Sequence, residues 1–260
     1  MNCTCSPHLL TLTHSIADAT AGHLHSALIT ERGELLTCGD LSHDKLCQPQ
    51  NHPLADRSVP GVARLPHLTV VEELAHLRLV QASAAVRHTA AVTSDGQFFV
   101  CGQHFGCIPR PAFMQSQLDE QRTLCTLTRV LQVVVGAHHA LLLTENGRVY
   151  SFICDDPRPH KRYPQLGQGP QSPTRNTPML VCEPHPNSVG QNSVVPNSVG
   201  QGRPLVATTL SAGQNHSVSW LDKQHNAAFA FGSHKYGRLS HEHETLASFP
   251  TKIDCGSSAG

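Results

Sequence analysis

The chain has 260 residues, and its 19 Lys and Arg residues balance 19 Asp and Glu residues, so the formal net charge is zero. Zero net charge argues against direct binding to nucleic acid or chromatin, which favours a basic surface. No apolar stretch approaches the ~18 residues of a membrane-spanning helix, and the N-terminus lacks the features of a signal peptide. We therefore predict a cytoplasmic and/or nuclear protein that binds no membrane, with its ten cysteines as reduced thiols.

A fourfold internal repeat dominates the sequence. In each copy, a glycine or alanine stands three positions before a histidine, and an apolar run, a polar turn and a second apolar run follow. These marker histidines are His25, His88, His139 and His216, at separations of 63, 51 and 77 residues. Such self-similarity is typical of an array of supersecondary units, not of an enzyme with a single core.

Each copy carries its strand signals in the same order. Apolar-rich runs precede the histidines, at 15–20, 79–84, 130–135 and 205–210. In the first three copies a polar turn contains a glycine eight residues after the histidine, at Gly33, Gly96 and Gly147. Asp-Gly and Asn-Gly turns between apolar runs favour hairpins, and no copy shows sustained helical periodicity. Each copy is therefore predicted to be an antiparallel blade of three or four strands.

The repeat resembles that of the regulator of chromosome condensation family, whose units are blades of a β-propeller. In the first copy the matching residues are Gly22, His25, Ser26, Ala27, Leu28, Gly33 and Gly39. The family's Gly-Gln-Leu-Gly-like loop is matched by 236–239 in the fourth copy and echoed by 165–167 in the third. Where the family usually has Trp, this chain has Cys38, Cys101, Phe152 and Phe231.

The resemblance implies an all-β fold, a partial or open β-propeller of about four antiparallel blades. We predict tails over 1–11 and 256–260 and a repeat array over 12–255, with units at 12–78, 79–129, 130–204 and 205–255. A family propeller usually closes with seven blades, and 260 residues are too few for seven repeats of about 50 residues each. The chain is thus expected to be a fragment of a longer protein, or to leave the ring open, or to complete it by association.

A proline-rich stretch separates the third and fourth copies. Residues 154–204 contain ten prolines, and the hexapeptide at 186–191 recurs at 196–201. Because such a composition buries too little apolar surface to offset its ordering entropy, a long disordered insertion is predicted here. Its basic cluster is either a solvated loop or a candidate partner-binding loop, formed by Arg158, His160, Lys161 and Arg162.

The sequence gives little support for a metal site or a catalytic site. No Cys-x-x-Cys pair occurs, and His241-Glu242-His243 lacks a third convergent ligand, so no metal or other cofactor is predicted. Because the marker histidines recur with the repeat, we expect each to be buried and hydrogen-bonded to the backbone of its own blade.

The leading interpretation is a non-enzymatic protein–protein interaction module, a propeller segment of a larger regulatory protein whose partner is another protein. The resemblance also implies an alternative, guanine-nucleotide exchange on a Ran-like small GTPase. In that case the GTPase is the partner.

Overall fold

The computed structural model describes residues 14–111, 129–154, 163–169, 178–183, 203–221, 227–239 and 246–253. Within these ranges the chain forms β-strands and short 3-10 turns, with no α-helix and no helix long and apolar enough to cross a membrane. The strands are β1 (Ile16–Ala21), β2 (His25–Thr30), β3 (Leu35–Asp40), β4 (Arg64–Val70), β5 (Leu79–Ala84), β6 (His88–Thr93), β7 (Phe98–Gly102), β8 (Gly106–Pro111), β9 (Val130–Val135), β10 (His139–Thr144), β11 (Val149–Ile153), β12 (Met179–Leu180), β13 (Thr209–Ala212), β14 (His216–Leu221), β15 (Ala227–Ser233) and β16 (Leu246–Ile253). The 3-10 turns are Ser42–Asp44, Glu72–Leu74, Pro164–Leu166 and Lys235–Gly237.

The strands form four antiparallel sheets, each built from four consecutive strands. We number them blades 1 to 4: β1–β4, β5–β8, β9–β12 and β13–β16. In every blade the marker histidine is the first residue of the second strand and pairs with the end of the third strand. The turns that contain Gly33, Gly96 and Gly147 join these two strands in blades 1 to 3. The predicted all-β fold with four antiparallel units is confirmed.

The first strands of successive blades lie side by side: β1 beside β5, β5 beside β9 and β9 beside β13. Three apolar clusters each combine residues from two neighbouring blades. The core therefore lies mostly between blades, as expected of repeats that cannot bury an apolar face alone. A smaller cluster in blade 4 draws on that blade only, and among the described residues no cluster joins blade 4 to blade 1. The array is open.

The first strand of blade 4 is shorter than the sequence predicts, because β13 begins at Thr209 rather than near residue 205. The preceding residues pair with blade 3 instead. The Leu205 amide donates to the Val181 carbonyl and the Ala207 amide to the Gly147 carbonyl, each at 2.8 Å. Leu205 and Ala207 are buried in the cluster shared by blades 3 and 4. Apolar packing against blade 3 thus outweighs extension of β13.

The proline-rich stretch 154–204 does not lie wholly outside the blades. Residues 163–169 contain a turn of blade 3, and residues 178–183 contain β12, which pairs with β11. The prediction of an insertion is wrong for these two parts, because apolar side chains such as Leu166 and Val181 are buried in them. The candidate partner-binding residues lie outside the described residues: Arg158, His160, Lys161 and Arg162.

Candidate functional site: the junctions between blades

The marker histidine of blade 1 connects two blades. His25 Nε2 lies 2.7 Å from Oγ1 of Thr89, the residue that follows the marker histidine of blade 2. The Thr89 hydroxyl in turn donates to the carbonyl of Lys45, in the loop after β3, at 2.6 Å. A hydroxyl has one hydrogen and a carbonyl can only accept, so His25 must donate from a protonated Nε2. The hydroxyl of blade 2 is therefore held between a histidine and a carbonyl of blade 1.

The junction between blades 3 and 4 repeats this arrangement. His139 Nε2 lies 2.8 Å from Ser217 Oγ, and that hydroxyl donates to the Gln165 carbonyl at 2.8 Å. His139 and Ser217 are completely buried. The expectation that each marker histidine bonds the backbone of its own blade is thus wrong for His25 and His139. The partner of each is a side-chain hydroxyl that the next blade buries against it.

The junction between blades 2 and 3 lacks the hydroxyl. The residue after His139 is Ala140, so blade 3 offers no side-chain oxygen there. His88 Nε2 instead lies 2.9 Å from the carbonyl of Gln103, in its own blade. Here the expected bond within the blade is observed, and apolar packing takes the place of the polar contact across the junction.

The glycine three residues before the histidine makes room for the imidazole ring. A β-carbon added to Gly22 would lie 2.3 Å from His25 Cε1, and one added to Gly136 would lie 2.3 Å from His139 Cε1. Both distances are far below van der Waals contact. Blade 2 has Ala85 at this position, in the same blade whose histidine pairs differently. The Gly-x-x-His spacing is therefore a steric requirement of this position of the imidazole ring, and the same holds for Gly213 and His216 in blade 4.

Burial keeps the junction histidines neutral. Burial, helped by the charge of Lys45, lowers the pKa of His25 to about 4, and burial lowers the pKa of His139 to about 3. Among the described residues, Nδ1 of each ring has no hydrogen-bond partner that would stabilise an imidazolium. At neutral pH these histidines are fixed donors, and their arrangement does not suit proton transfer.

A buried lysine organises the loop at the junction of blades 1 and 2. The Lys45 side chain is 1% exposed, and Nζ contacts the Asp40 carboxylate and donates to the Ser42 carbonyl at 2.8 Å. Burial acts to raise the pKa of Asp40, but hydrogen bonds from Lys45 and Ser42 hold it below its ordinary value. This pairing explains how a lysine can be buried, since an isolated buried charge would be strongly unfavourable.

The loop that carries Lys45 corresponds in blade 1 to the loop at 165–168 of blade 3, although the sequence pattern did not predict it there. In blade 1 the Thr37 hydroxyl donates to the Leu46 carbonyl at 2.8 Å, and in blade 3 the Ser151 hydroxyl donates to the Leu166 carbonyl at 2.6 Å. The available signal is Leu-x-Gln, present at 46–48 and 166–168.

A disulfide crosses the same junction. Cys47 follows Leu46 in the blade 1 loop and is bonded to Cys101 of blade 2, with their Cα atoms 5.5 Å apart. Cys101 occupies the position where the repeat family usually has Trp. The prediction that the cysteines are reduced is therefore wrong for this pair, because the fold brings two buried cysteines within bonding distance. Cys38, Cys154 and Cys182 form no disulfide within the part of the chain that the structure describes.

Blade 4 presents an exposed aromatic side chain in the equivalent loop. Tyr236 is 84% exposed, with Lys235 Nζ 4.9 Å and Arg238 Cζ 5.6 Å from the centre of its ring. Arg238 Nε also donates to the Lys235 carbonyl at 2.6 Å, which closes the turn. The corresponding Tyr163 of blade 3 is buried. The fourth loop thus offers an aromatic ring between two cations to solvent.

The sequence is similar to that of several known proteins. A family model described as the regulator of chromosome condensation (RCC1) repeat matches residues 130–152. The regulator of chromosome condensation of Mus musculus is 29% identical over 170 residues, which cover 62% of this chain and 36% of that protein. The secretion-regulating guanine nucleotide exchange factor of Mus musculus is 25% identical over 226 residues, covering 86% of this chain and 42% of that protein. The chain thus spans less than half the length of these relatives.

Solved structures agree on the fold. Human WBSCR16 superposes with a TM-score of 0.68 at 17% identity, over 95% of this chain and 55% of that chain. Prp20p of Saccharomyces cerevisiae, whose structure was reported with its binding properties to Gsp1p and histones, gives a TM-score of 0.60 at 15% identity, over 92% of this chain and 50% of that chain. The four blades, their junctions and these likenesses define an open β-propeller. Residues 130–152 match the regulator of chromosome condensation repeat, and the other three blades have the same order of strands.

Proposed function

We propose that the chain is a non-enzymatic protein-binding module that presents the loop end of its blades to another protein. The observation that carries this proposal is the exposed Tyr236, held between Lys235 and Arg238 on a short, hydrogen-bonded turn. Tyrosine and arginine are enriched among the residues that dominate protein–protein binding, because they combine large contact area with directed polar groups. A preformed turn also reduces the entropy lost on binding.

The loops that carry Lys45 and Gln165, at the same end of the blades, are hydrogen-bonded at the polar junctions. The carbonyls of Lys45 and Gln165 both accept from hydroxyls of the next blade, so these loops are tied to the blades beneath them. Rigid placement of surface loops on a β-scaffold is typical of binding proteins.

The basic cluster predicted from the sequence is the second part of the proposed partner contact. The segment 155–162 connects Cys154 to Tyr163, and the Cys154 amide donates to the carbonyl of His138, in the loop before β10, at 2.8 Å. Both flanking residues therefore belong to the loop end of blade 3. We propose that Arg158, His160, Lys161 and Arg162, which lie outside the described residues, take part in binding because they lie between these two residues in the sequence, and that the partner carries acidic groups.

A second candidate is guanine-nucleotide exchange on a Ran-like small GTPase. It is supported by similarity to a relative named as a guanine nucleotide exchange factor over 86% of this chain. Exchange would require the loop end to displace the groups that hold the nucleotide phosphates. In this case Tyr236 and its neighbours would contact the GTPase.

The test compares binding by the wild-type chain with binding by a Tyr236→Ala/Arg238→Ser variant. The matched control is Leu131→Ala, which removes another exposed apolar side chain, one that is 52% exposed and lies in β9 rather than in a loop at this end of the blades. Proteins cross-linked to the wild-type chain in cells are expected to be retained by the control and reduced at least tenfold in the double variant. An unchanged set of cross-linked proteins would contradict the proposed surface.

The exchange activity is tested separately with purified components. A Ran-like GTPase loaded with a fluorescent GDP analogue is mixed with the chain, and the rate of nucleotide release is followed. Acceleration that is lost in the Tyr236→Ala/Arg238→Ser variant would favour exchange. Binding without acceleration would favour the interaction module alone.

A further inference from the structure

The turn that carries Tyr236 in blade 4 has a backbone similar to that of the turn that carries Lys45 in blade 1. Both contain two successive residues in the left-handed region, with φ of 63° and 58° in blade 1 and of 69° and 74° in blade 4. These residues are His43 and Asp44 in the first turn and Tyr236 and Gly237 in the second. Each turn leads to a completely buried leucine, Leu46 or Leu239. The turns can therefore be compared position by position, and Lys45 is matched by Arg238.

The two matched cations fold back onto the same carbonyl of the turn. Lys45 Nζ donates to the Ser42 carbonyl at 2.8 Å, and Arg238 Nε donates to the Lys235 carbonyl at 2.6 Å. Ser42 and Lys235 are themselves matched, since each stands three residues before its cation. Two different side chains thus make the same contact, so the turns are equivalent in structure as well as in sequence position.

Blade 1 fills this turn with a carboxylate of its own. Asp40 Oδ1 accepts from the Ser42 amide at 3.2 Å, and Oδ2 contacts the Ser42 hydroxyl and Lys45 Nζ. The Asp40 side chain remains 24% exposed, although blade 2 is bonded to this loop through Thr89 and the disulfide. A carboxylate bound in this way therefore lies at the surface of the blades even where a neighbouring blade is in place.

Blade 4 keeps the donors of this arrangement and lacks the carboxylate. The residue at the Asp40 position is Ser233, and its hydroxyl accepts from the Lys235 amide at 3.4 Å, which is long for a hydrogen bond. Among the described residues, no carboxylate forms an ion pair with Lys235 or Arg238. Lys235 is exposed and Arg238 is half-buried. The fourth turn thus holds two cations and an amide around a position that an anion occupies in blade 1.

We propose that this turn binds a carboxylate of the partner protein, an Asp or Glu side chain that takes the place of Asp40. The inference rests on the proposed function, because it names the group that the surface around Tyr236 recognises. The partner's carboxylate would accept from the Lys235 amide and from the Arg238 guanidinium, beside the Tyr236 ring. Arginine suits a carboxylate that approaches from outside the chain, because its planar guanidinium stays charged and can donate two parallel hydrogen bonds.

The first experiment fills the site from within the chain. Ser233→Asp gives blade 4 the arrangement of blade 1, so this turn should fold as the Lys45 turn does. The introduced carboxyl should titrate about 1–3 units below the ordinary pKa of about 3.9, because Arg238 and the Lys235 amide bond its charged form. Nuclear magnetic resonance of the carboxyl carbon measures the titration. In Ser233→Asp/Arg238→Gln most of the shift should be lost.

The second experiment asks whether the internal carboxylate excludes the partner. Proteins cross-linked to the chain in cells should be reduced at least tenfold by Ser233→Asp, because the site is then occupied. Ser233→Ala leaves the site open and should retain them. Ser94→Asp is the charge-matched control, since it adds the same group at an exposed turn at the opposite end of blade 2, and it should retain them as well. Ser233→Glu replaces Ser233→Asp if circular dichroism shows that the latter loses β-structure.

The outcomes separate this inference from the proposed function. An introduced carboxyl that titrates at its ordinary pKa, or a shift that survives Arg238→Gln, would overturn the carboxylate site. Proteins that are lost from Tyr236→Ala/Arg238→Ser but stay cross-linked to Ser233→Asp would overturn it too, and would leave the proposed function intact. Equal losses in Ser94→Asp and Ser233→Asp would show an effect of net charge and contradict a specific site. If neither Ser233→Asp nor Tyr236→Ala/Arg238→Ser loses any protein, the proposed function fails together with this inference.

Discussion

The ring of Phe231 in blade 4 packs against the α-carbon of Gly167 in the loop of blade 3, where an added β-carbon would lie 2.8 Å from Phe231 Cδ2. The same two positions at the junction of blades 1 and 2 hold Cys101 and Cys47, which form the disulfide. Gly167 and Cys47 both have left-handed backbone, with φ of 64° and 55°. One junction therefore packs an aromatic ring on a glycine where the other has a covalent bond.

This equivalence predicts that a phenylalanine packed on a glycine can replace the disulfide at the junction of blades 1 and 2. Reducing the disulfide should lower the free energy of unfolding by about 4 kcal/mol, from the loop-closure entropy of its 54-residue separation. In Cys47→Gly/Cys101→Phe, the ring should refill the junction and glycine should relax the left-handed backbone. Thermal unfolding with and without dithiothreitol should show a large reductant effect in the wild type and in the Cys38→Ser control, but none in the double variant. A double variant less stable than the reduced wild type would contradict the equivalence.

The cross-junction hydrogen bonds predict energetic coupling between His139 and Ser217. Each single change to alanine leaves a buried polar group unpaired, at a cost of about 1–3 kcal/mol. Because the two side chains share one bond, the cost of the double variant should be below the sum of the single costs by about 1 kcal/mol. Urea unfolding of the four proteins measures this coupling. Strict additivity would show that the bond contributes nothing.

The neutral histidines predict a loss of stability in mild acid. Below pH 6.5 an unfolded histidine takes up a proton, whereas folded His25 and His139 do so only near pH 4 and 3. The unfolded state then binds more protons, so each histidine should lower the free energy of unfolding by about 1.4 kcal/mol per pH unit below 6.5. Urea unfolding at pH 7.5, 6 and 5 should show this slope, with a shallower one in His139→Asn. The exposed His67→Asn serves as control, and an equal slope in all three proteins would be the contrary result.

The glycine three residues before His139 is expected to be required for steric reasons, and the alanine at the equivalent position of blade 2 provides an internal control. Gly136→Ala should destabilise the protein by about 3 kcal/mol, because the new methyl group overlaps the His139 ring and the Gly213 carbonyl. Ala85→Gly, the reverse change at the equivalent position of blade 2, should cost less than about 1 kcal/mol, the backbone entropy of glycine. Thermal unfolding compares the two. Similar melting temperatures for Gly136→Ala and Ala85→Gly would show that the His139 ring shifts without loss of stability.

The stretch between β12 and blade 4 should be replaceable by a tight turn. The Glu183 amide donates to the Arg203 carbonyl at 2.8 Å, and Cys182 pairs with Pro204, so the two ends already lie side by side as in a hairpin. Replacing residues 184–202 with Asn-Gly should therefore leave the melting temperature within a few degrees of the parent chain. Limited proteolysis provides a second measurement. Cooperative loss of β-structure would show that the removed residues are part of a blade.

The repeat, the hairpin turns and the second strands could be predicted because their causes are local. The Asp-Gly and Asn-Gly turns and the apolar runs around them act over a few residues, and β6 and β10 begin at the marker histidines. Residues 205–207 and 163–169 were misassigned because their apolar side chains are buried by blade 3, and a pattern along the chain does not show which surface will cover it.

The roles of the marker histidines, by contrast, depended on the packing of one blade against the next. His25 and Thr89 are 64 residues apart, and His139 and Ser217 are 78 residues apart. The repeat indicated that these histidines are equivalent, yet their bonds are set by the following blade, which supplies a hydroxyl in two cases and Ala140 in the third. Cys47 and Cys101 meet for the same reason. Local chemistry specifies each blade, whereas the contacts that bind blades together exist only once distant segments share a buried surface, where most polar groups are hydrogen-bonded to one another.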